Sequence, residues 1–307
     1  MAAASGRAER LGPDGVRRLG ALYRTTAADL ALARRKYSAD PVVGRLEDLV
    51  SRARHLVYDT PAERGSLASF FASTYWRRVT ERPFTLALAA VLLFAPAALA
   101  GAWALDDPGA AEGLVPARFR SVTEPRSGGS DLGLSPGQQA AFAGQIFTNN
   151  IQVTFVAFAG GIALGLGTAA ALIYNGVVLG TIAGLAAGAG GSRGFVELVV
   201  AHGILELSCI VVSAAAGLRM GWALVVPGRR RRGDAVVAEG RRAVEIVLGT
   251  APWLVLAGVV EGFVTPRGLG LVPATAVGVS LGACFWGLLL WRGRRQAVRT
   301  EGLSPAP

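Results

Sequence analysis

The sequence is poor in the residues from which most enzymes build active sites. Its 307 residues include two cysteines, two histidines and a single lysine, Lys36. Cys209 and Cys284 both lie inside apolar runs, so neither a disulfide framework nor a paired-cysteine zinc motif is available. With only His55 and His202 present, most zinc, haem and histidine-based catalytic schemes drop out. No Walker motif, GxSxG element or dinucleotide fingerprint stands in a suitable context, which argues against ATP hydrolysis and serine chemistry within this chain. The first 80 residues hold no apolar h-region, so no cleavable signal peptide is expected.

Apolarity, glycine and positive charge are abundant instead. Hydrophobic residues make up 52% of the chain, there are 41 glycines, mean hydropathy is +0.43 and net charge is +10. These values coexist only when charge and apolarity are segregated along the chain. Long charge-free runs do alternate with arginine clusters, as in a polytopic membrane helix bundle of the all-α class. This excludes a soluble two-domain enzyme. Positive-inside topology also explains the basic residues more simply than nucleic-acid binding does.

Six apolar segments are expected to span: Pro83–Leu105, Ile151–Tyr174, Gly176–Gly190, Phe195–Val226, Val244–Val264 and Leu269–Trp291. The third is short against the ~20 residues that a crossing needs. With both termini cytoplasmic, 26 of the 31 basic residues lie inside and five outside, a strong bias toward that orientation. A re-entrant hairpin made of segments two and three would preserve the same parity. The organisation expected is a cytosolic helical region over 1–82, a membrane domain over 83–291 and a cytoplasmic tail over 292–307. Within the membrane domain, 106–143 is an extracytoplasmic loop and 227–243 a basic cytoplasmic loop. Tyr75, Trp76, Trp103, Trp222 and Trp291 stand near segment ends, where amphipathic rings favour the interface.

Residues 14–58 read as a helical hairpin broken at Ser38-Ala39-Asp40-Pro41, with apolar stripes through Leu19, Leu22, Tyr23 and Leu30 and through Leu46, Leu49 and Val50. Its arginines make either a surface for anionic lipid or a partner, or a solvated basic face. His55 in this hairpin has no metal-binding neighbour and is taken as structural. The 106–143 loop is rich in Gly, Pro and Ser and is expected to be mobile over much of its length. A short surface helix is expected from Gln138 to Asn149.

Two patterns inside the apolar runs carry information. Gly176, Gly180, Gly184 and Gly188 recur every fourth residue along one helical face, where a second backbone can approach closely, from another span or from a second copy of the chain. Shorter pairs occur at Gly161/Gly165, Gly217/Gly221, Gly258/Gly262 and Gly278/Gly282, and high glycine content suffices to explain these. Intramembrane polar groups form the second pattern. Asn149, Asn150 and Gln152 open the second segment, and Asn175-Gly176 reads as a turn between the second and third. His202, Glu206, Cys209 and Ser213 share one face of the fourth, and Glu261 stands near the outer end of the fifth. Structural glue between helices, a proton relay and a metal site from His202, Glu206 and Glu261 are the readings open for that face.

Together, Asn149-Asn150-Ile151, Tyr174-Asn175-Gly176, His202-Gly203-Ile204-Leu205-Glu206-Leu207 and Glu261-Gly262-Phe263-Val264-Thr265-Pro266 resemble the stage II sporulation protein M family of integral membrane proteins. The resemblance implies a bacterial cell-envelope protein of the plasma membrane with no catalytic residues, cofactor or metal. It further implies envelope membrane proteins as partners, cell-wall enzymes or an AAA-type ATPase among them. One departure is that the extracytoplasmic loop does not read as a folded domain. The function expected is a non-enzymatic, sporulation-related membrane scaffold. The alternatives are a transporter or proton-coupled permease using the His202/Glu206 face, and an intramembrane metalloenzyme.

Overall fold

A computed structural model describes residues 12–38, 40–58, 66–117 and 135–301, which divide into two compact units at Ser66. The first unit pairs helix α1 (Gly12–Lys36) with α2 (Pro41–Tyr58). Asp40 ends the connection by accepting the Val42 N–H at 2.8 Å. Pro41 then opens α2, where its missing N–H leaves no helical bond unmade. Leu30 and Ala33 are buried, and Arg34 of α1 grips Glu47 of α2 at 2.6 Å. Val16, Leu22, Leu32, Tyr37, Val42 and Leu49 remain exposed. The side chain of His55 lies outside the described residues.

The second unit begins well before Arg82, the boundary expected from composition. It opens with α3 (Leu67–Ser69), a five-residue π-helical turn over Phe70–Thr74 and α4 (Tyr75–Thr80). The boundary moves because Tyr75 and Trp76 are core residues, not interfacial anchors. Both are buried, and Trp76 packs against Trp253 and Phe285 with ring centroids 6.0 Å away. Gly249 makes room for them: a Cβ there would sit 2.1 Å from the Tyr75 ring. The carbonyls of the π turn also accept side-chain donors. Arg292 donates to Phe71 and Ala72 at 3.2 and 2.8 Å, and the Trp76 indole donates to Phe71 at 2.8 Å.

Six long helices follow: α5 (Pro83–Asp106), α7 (Pro136–Ala159), α8 (Leu166–Gly188), α9 (Ser192–Val225), α10 (Arg232–Phe263) and α11 (Leu271–Glu301). No strand occurs among the described residues. Among the described residues, five of these helices, α5, α8, α9, α10 and α11, are long and apolar enough to cross a membrane. Close contacts fix their directions. Gly176, Gly180 and Gly184 of α8 meet Leu93, Ala97 and Gly101 of α5 in rising order, so the two run parallel. Gly278 and Gly282 of α11 meet Val200 and Ile204 of α9, again parallel. Thr168 at the start of α8 donates to Ala157 near the end of α7 at 2.6 Å, making an antiparallel hairpin. The long helices therefore alternate in direction along the chain. α9 is the hub, apolar on nearly all sides and buried on most of them, as expected for a central helix.

Three segment boundaries differ from the sequence reading. Asn175-Gly176 is no turn; both lie within α8, where the Asn175 amide donates to the Ala171 carbonyl at 2.7 Å and so needs no break. The chain reverses instead over Gly160–Gly165, where Leu164 and Gly165 take positive φ of 57° and 80°. Leu164 accepts a strain of roughly 1–2 kcal/mol there. With the reversal moved, the short third segment becomes the 23-residue α8. Asn149 and Asn150 lie inside α7 rather than opening a span, and the expected surface helix is the first half of that same helix. The side chains of Gln138, Phe142 and Phe147 lie outside the described residues. The start of the 106–143 loop is ordered: Asp107 caps α6 (Pro108–Ala111) by accepting the Ala110 N–H at 3.1 Å. Ala111 and Val115 are buried with Ala104, Ile182 and Leu185.

Candidate functional site

Glycine brings backbones together at several seams. A Cβ at Gly176, Gly180 or Gly184 would fall 2.2, 1.9 or 2.4 Å from a carbonyl oxygen of α5, closer than real Cβ contacts come. At Gly188 it would meet only Leu105 at 3.9 Å, so the fourth glycine of the ladder is not required for the approach. The pairs that composition alone could explain are also tight. Gly161 lies on Gly217 and Gly221 on Gly165, with no room for a Cβ at Gly161, Gly217 or Gly221, which wedges the α7–α8 reversal against α9.

A polar cluster crosses this packing toward the end of the bundle where α10 finishes. Glu261 of α10 touches His202 Nδ1 with its Oε2, and Glu206 Oε2 lies 3.9 Å from His202 Nε2. Thr265 Oγ1 stands 3.4 Å from Nδ1, and the Asn150 side chain of α7 lies beside Glu206. All three ionisable groups are buried. The structure thus brings His202, Glu206, Glu261 and Asn150 together, and leaves Asn149, which donates to Asn150 at 3.4 Å, beside them. Asn175 and the glycine ladder lie on a different helix. The two carboxylates face opposite nitrogens of one imidazole, so no single ion could be held by both carboxylates and that ring. Among the described residues no group of three or more His, Cys, Asp or Glu is disposed to hold a metal ion. The arrangement suits hydrogen bonding between helices and the transfer of protons between ring and carboxylates.

A second charged cluster gathers at the end of the bundle where α5 begins and α9 finishes. Arg219 is buried on α9 and donates to Glu239 of α10 at 2.6 Å, to Glu81 at 2.9 Å and to the Arg78 carbonyl at 2.6 Å. Arg78 continues to Glu245 at 2.5 Å and Glu81 at 2.8 Å, and Arg242 joins Glu239 at 3.2 Å. Partial burial disfavours charge on Glu81, but the bonds from Arg219 and Arg78 outweigh it and hold its carboxyl below the ordinary glutamate range. Burial likewise disfavours charge on Arg78, and Glu245 and Glu81 overcome it and raise its pKa further. Sequence reading counted these arginines as topological charge and missed the cluster. The available signal was Arg219 itself, standing six residues before the end of α9 as the one charge in the stretch after Glu206.

No solved structure matches the chain. An uncharacterized protein of Methanocaldococcus jannaschii is 28% identical over 124 residues, covering 40% of this chain and 70% of the archaeal one. Residues 2–59, which include both helices of the first unit, match a domain of unknown function, DUF8413. Residues 90–266 match the model of stage II sporulation protein M. That stretch is more than half of the chain and contains the glycine contacts on α8, the buried His202 cluster and Arg219 with Glu239. The chain belongs to the stage II sporulation protein M family.

Proposed function

We propose that this protein is a non-enzymatic scaffold of the plasma membrane, with the α1–α2 unit as the surface that gathers partners. The observation that carries the reading is the pairing of two unlike units. The bundle is built from backbone-to-backbone glycine contacts, which make a rigid anchor. The hairpin unit exposes Val42 and Leu49 on the same side of α2 as Arg45 and Arg52. Apolar side chains exposed beside charge mark interaction surfaces in soluble units. The partners fitting an arginine-rich amphipathic surface on the cytoplasmic side are acidic cytoplasmic surfaces, such as that of an AAA-type ATPase. The full chain is to be purified from gently solubilised native membranes beside a variant carrying Val42→Glu and Leu49→Glu. Co-purifying proteins identified by mass spectrometry are expected with the wild type and depleted with the variant. A wild type that brings down nothing above a control membrane protein would remove the scaffold reading.

In this proposal both termini are cytoplasmic, because the basic residues cluster at one end of the alternating helices. The test uses single cysteines at Gly113 and Gly233, both exposed and with open space around them, in a background lacking Cys209 and Cys284. An impermeant thiol reagent on intact cells is expected to label position 113 and spare 233. Labelling at 233 alone would invert the orientation.

A further inference from the structure

A groove of about 550 Å³ lies between α5 and α11, floored by α9. Pro83, Ala87 and Phe94 of α5 form one wall, Trp286 of α11 stands opposite, and Ile204 and Val211 lie on the floor. The three α5 residues are exposed, so the groove opens sideways, away from the bundle. Pro83 and Phe94 are about 16 Å apart along the helix at ~1.5 Å per residue. That is close to half of a hydrocarbon core about 30 Å thick. The groove therefore runs the depth of one leaflet. It starts at the end of the bundle where Arg219 meets Glu81 and the Arg78 carbonyl.

Two side chains of the lining carry polar atoms, and they bond each other. The Trp286 indole donates to Ser208 Oγ at 2.9 Å, and Ser208 donates to the Ile204 carbonyl at 2.7 Å. Nothing is left to bond a sugar, a nucleotide or a metal ion, and burying such groups unbonded is costly. The guest that this lining selects is hydrocarbon. A helix about 10–12 Å across, running the same length, would fill more than twice the volume. A single flexible chain fits where a transmembrane helix does not.

The mouth carries charge. Arg82 immediately precedes Pro83, and Arg77 lies on the adjoining α4. Both are exposed, and neither pairs with a carboxylate among the described residues. Their neighbour Glu81 is already held by Arg78 and Arg219. We propose that the groove binds one acyl chain of an anionic phospholipid, whose headgroup is received by Arg82 and Arg77. Arginine stems lie along apolar surface while the guanidinium stays at headgroup level, which places both charges beside the phosphate of a lipid seated at Pro83.

The experiment uses the purified full chain, stripped of lipid in detergent. It is titrated with dioleoyl phosphatidylglycerol and with dioleoyl phosphatidylcholine, and native mass spectrometry counts the lipids that stay bound. Wild type is expected to retain one phosphatidylglycerol and to prefer it about twenty-five-fold, roughly fivefold for each arginine near the surface. Arg77→Gln combined with Arg82→Gln is expected to level the two lipids. Ala87→Phe, which puts a ring into the groove, is expected to lose both. Val91→Phe, at an exposed position of α5 outside the groove, is expected to lose neither. Glycerol phosphate, a headgroup without chains, is expected to leave the bound lipid in place. Monodisperse elution checks the fold of each variant, and the lipid preference of wild type and the arginine pair decides the matter even where Ala87→Phe aggregates. Wild type that retains no lipid or holds both lipids equally would overturn the proposal. So would a folded Ala87→Phe variant that binds like wild type, or displacement by glycerol phosphate. A lipid-free wild-type dimer that Ala87→Phe splits would overturn it too, by giving the groove to a second copy.

Discussion

Gly180→Leu is expected to abolish the monodisperse detergent-solubilised species, and Gly180→Ala to weaken it severely. A Cβ at this position meets the Ala97 carbonyl oxygen at 1.9 Å and its carbon at 2.6 Å. Both belong to a backbone, which cannot swing aside as a side chain can. Overpacking in a well-filled core costs roughly 1–3 kcal/mol, and forcing α5 off α8 lies at or above the top of that range. The ladder supplies its own control. Gly188→Ala places a Cβ at ordinary contact distance from Leu105 and is expected to elute like wild type. Leucine at the exposed Ile173 of the same helix is expected to be silent as well. Size-exclusion profiles and thermal unfolding in detergent check all four. If Gly180→Ala matched Gly188→Ala, the α5–α8 approach would not be the source of the bundle's rigidity.

Arg219→Met is expected to destabilise the bundle by about 3–5 kcal/mol, the range for removing one partner of a buried ion pair. The loss arises from what remains: a Glu239 side chain only 6% exposed and an Arg78 carbonyl without its donor. Pairing Arg219→Met with Glu239→Met is expected to recover much of the loss, since both buried charges then disappear together. Arg242→Met, removing a guanidinium that is 37% exposed, is expected to change stability by no more than about 1 kcal/mol. Thermal unfolding of the purified proteins measures the series. Acid gives an independent readout. Glu81 has a folded pKa below its unfolded value near 4.3. Its contribution is therefore full above that unfolded value and is lost as pH falls through the folded one. The Arg219→Met variant is expected to lose part of this acid sensitivity, because it has already lost one of the two bonds that depress Glu81.

How much of this was legible in the sequence depended on how local the cause was. A glycine at every fourth residue of α8 has few uses other than close approach, so the ladder could be read. Its partner could not, because α5 lies some eighty residues away and announces itself only by Ala97 and Gly101. The α7–α8 reversal was misplaced because Asn-Gly is a strong turn signal in water. Within an apolar helix the asparagine bonds its own backbone and the signal fails, while Gly160, Gly161 and Gly165 supply the conformational freedom for the true turn. His202 and Glu206 share a face by spacing alone, but Glu261 joins them only because α10 folds back antiparallel on α9. Arg219 looked like one more topological charge, since nothing nearby in sequence shows that its carboxylates come from Glu81 and Glu239.

Those two carboxylates also set an order of manufacture. One lies 138 residues before Arg219 and the other 20 residues after it. While the ribosome is still making α9, the first is already in place and the second does not exist. The guanidinium must wait, half-matched, for the helix that follows. A chain stopped before Glu239 would therefore keep an arginine that the finished bundle hides, and a quality-control protease could tell the fragment from the whole by that single group.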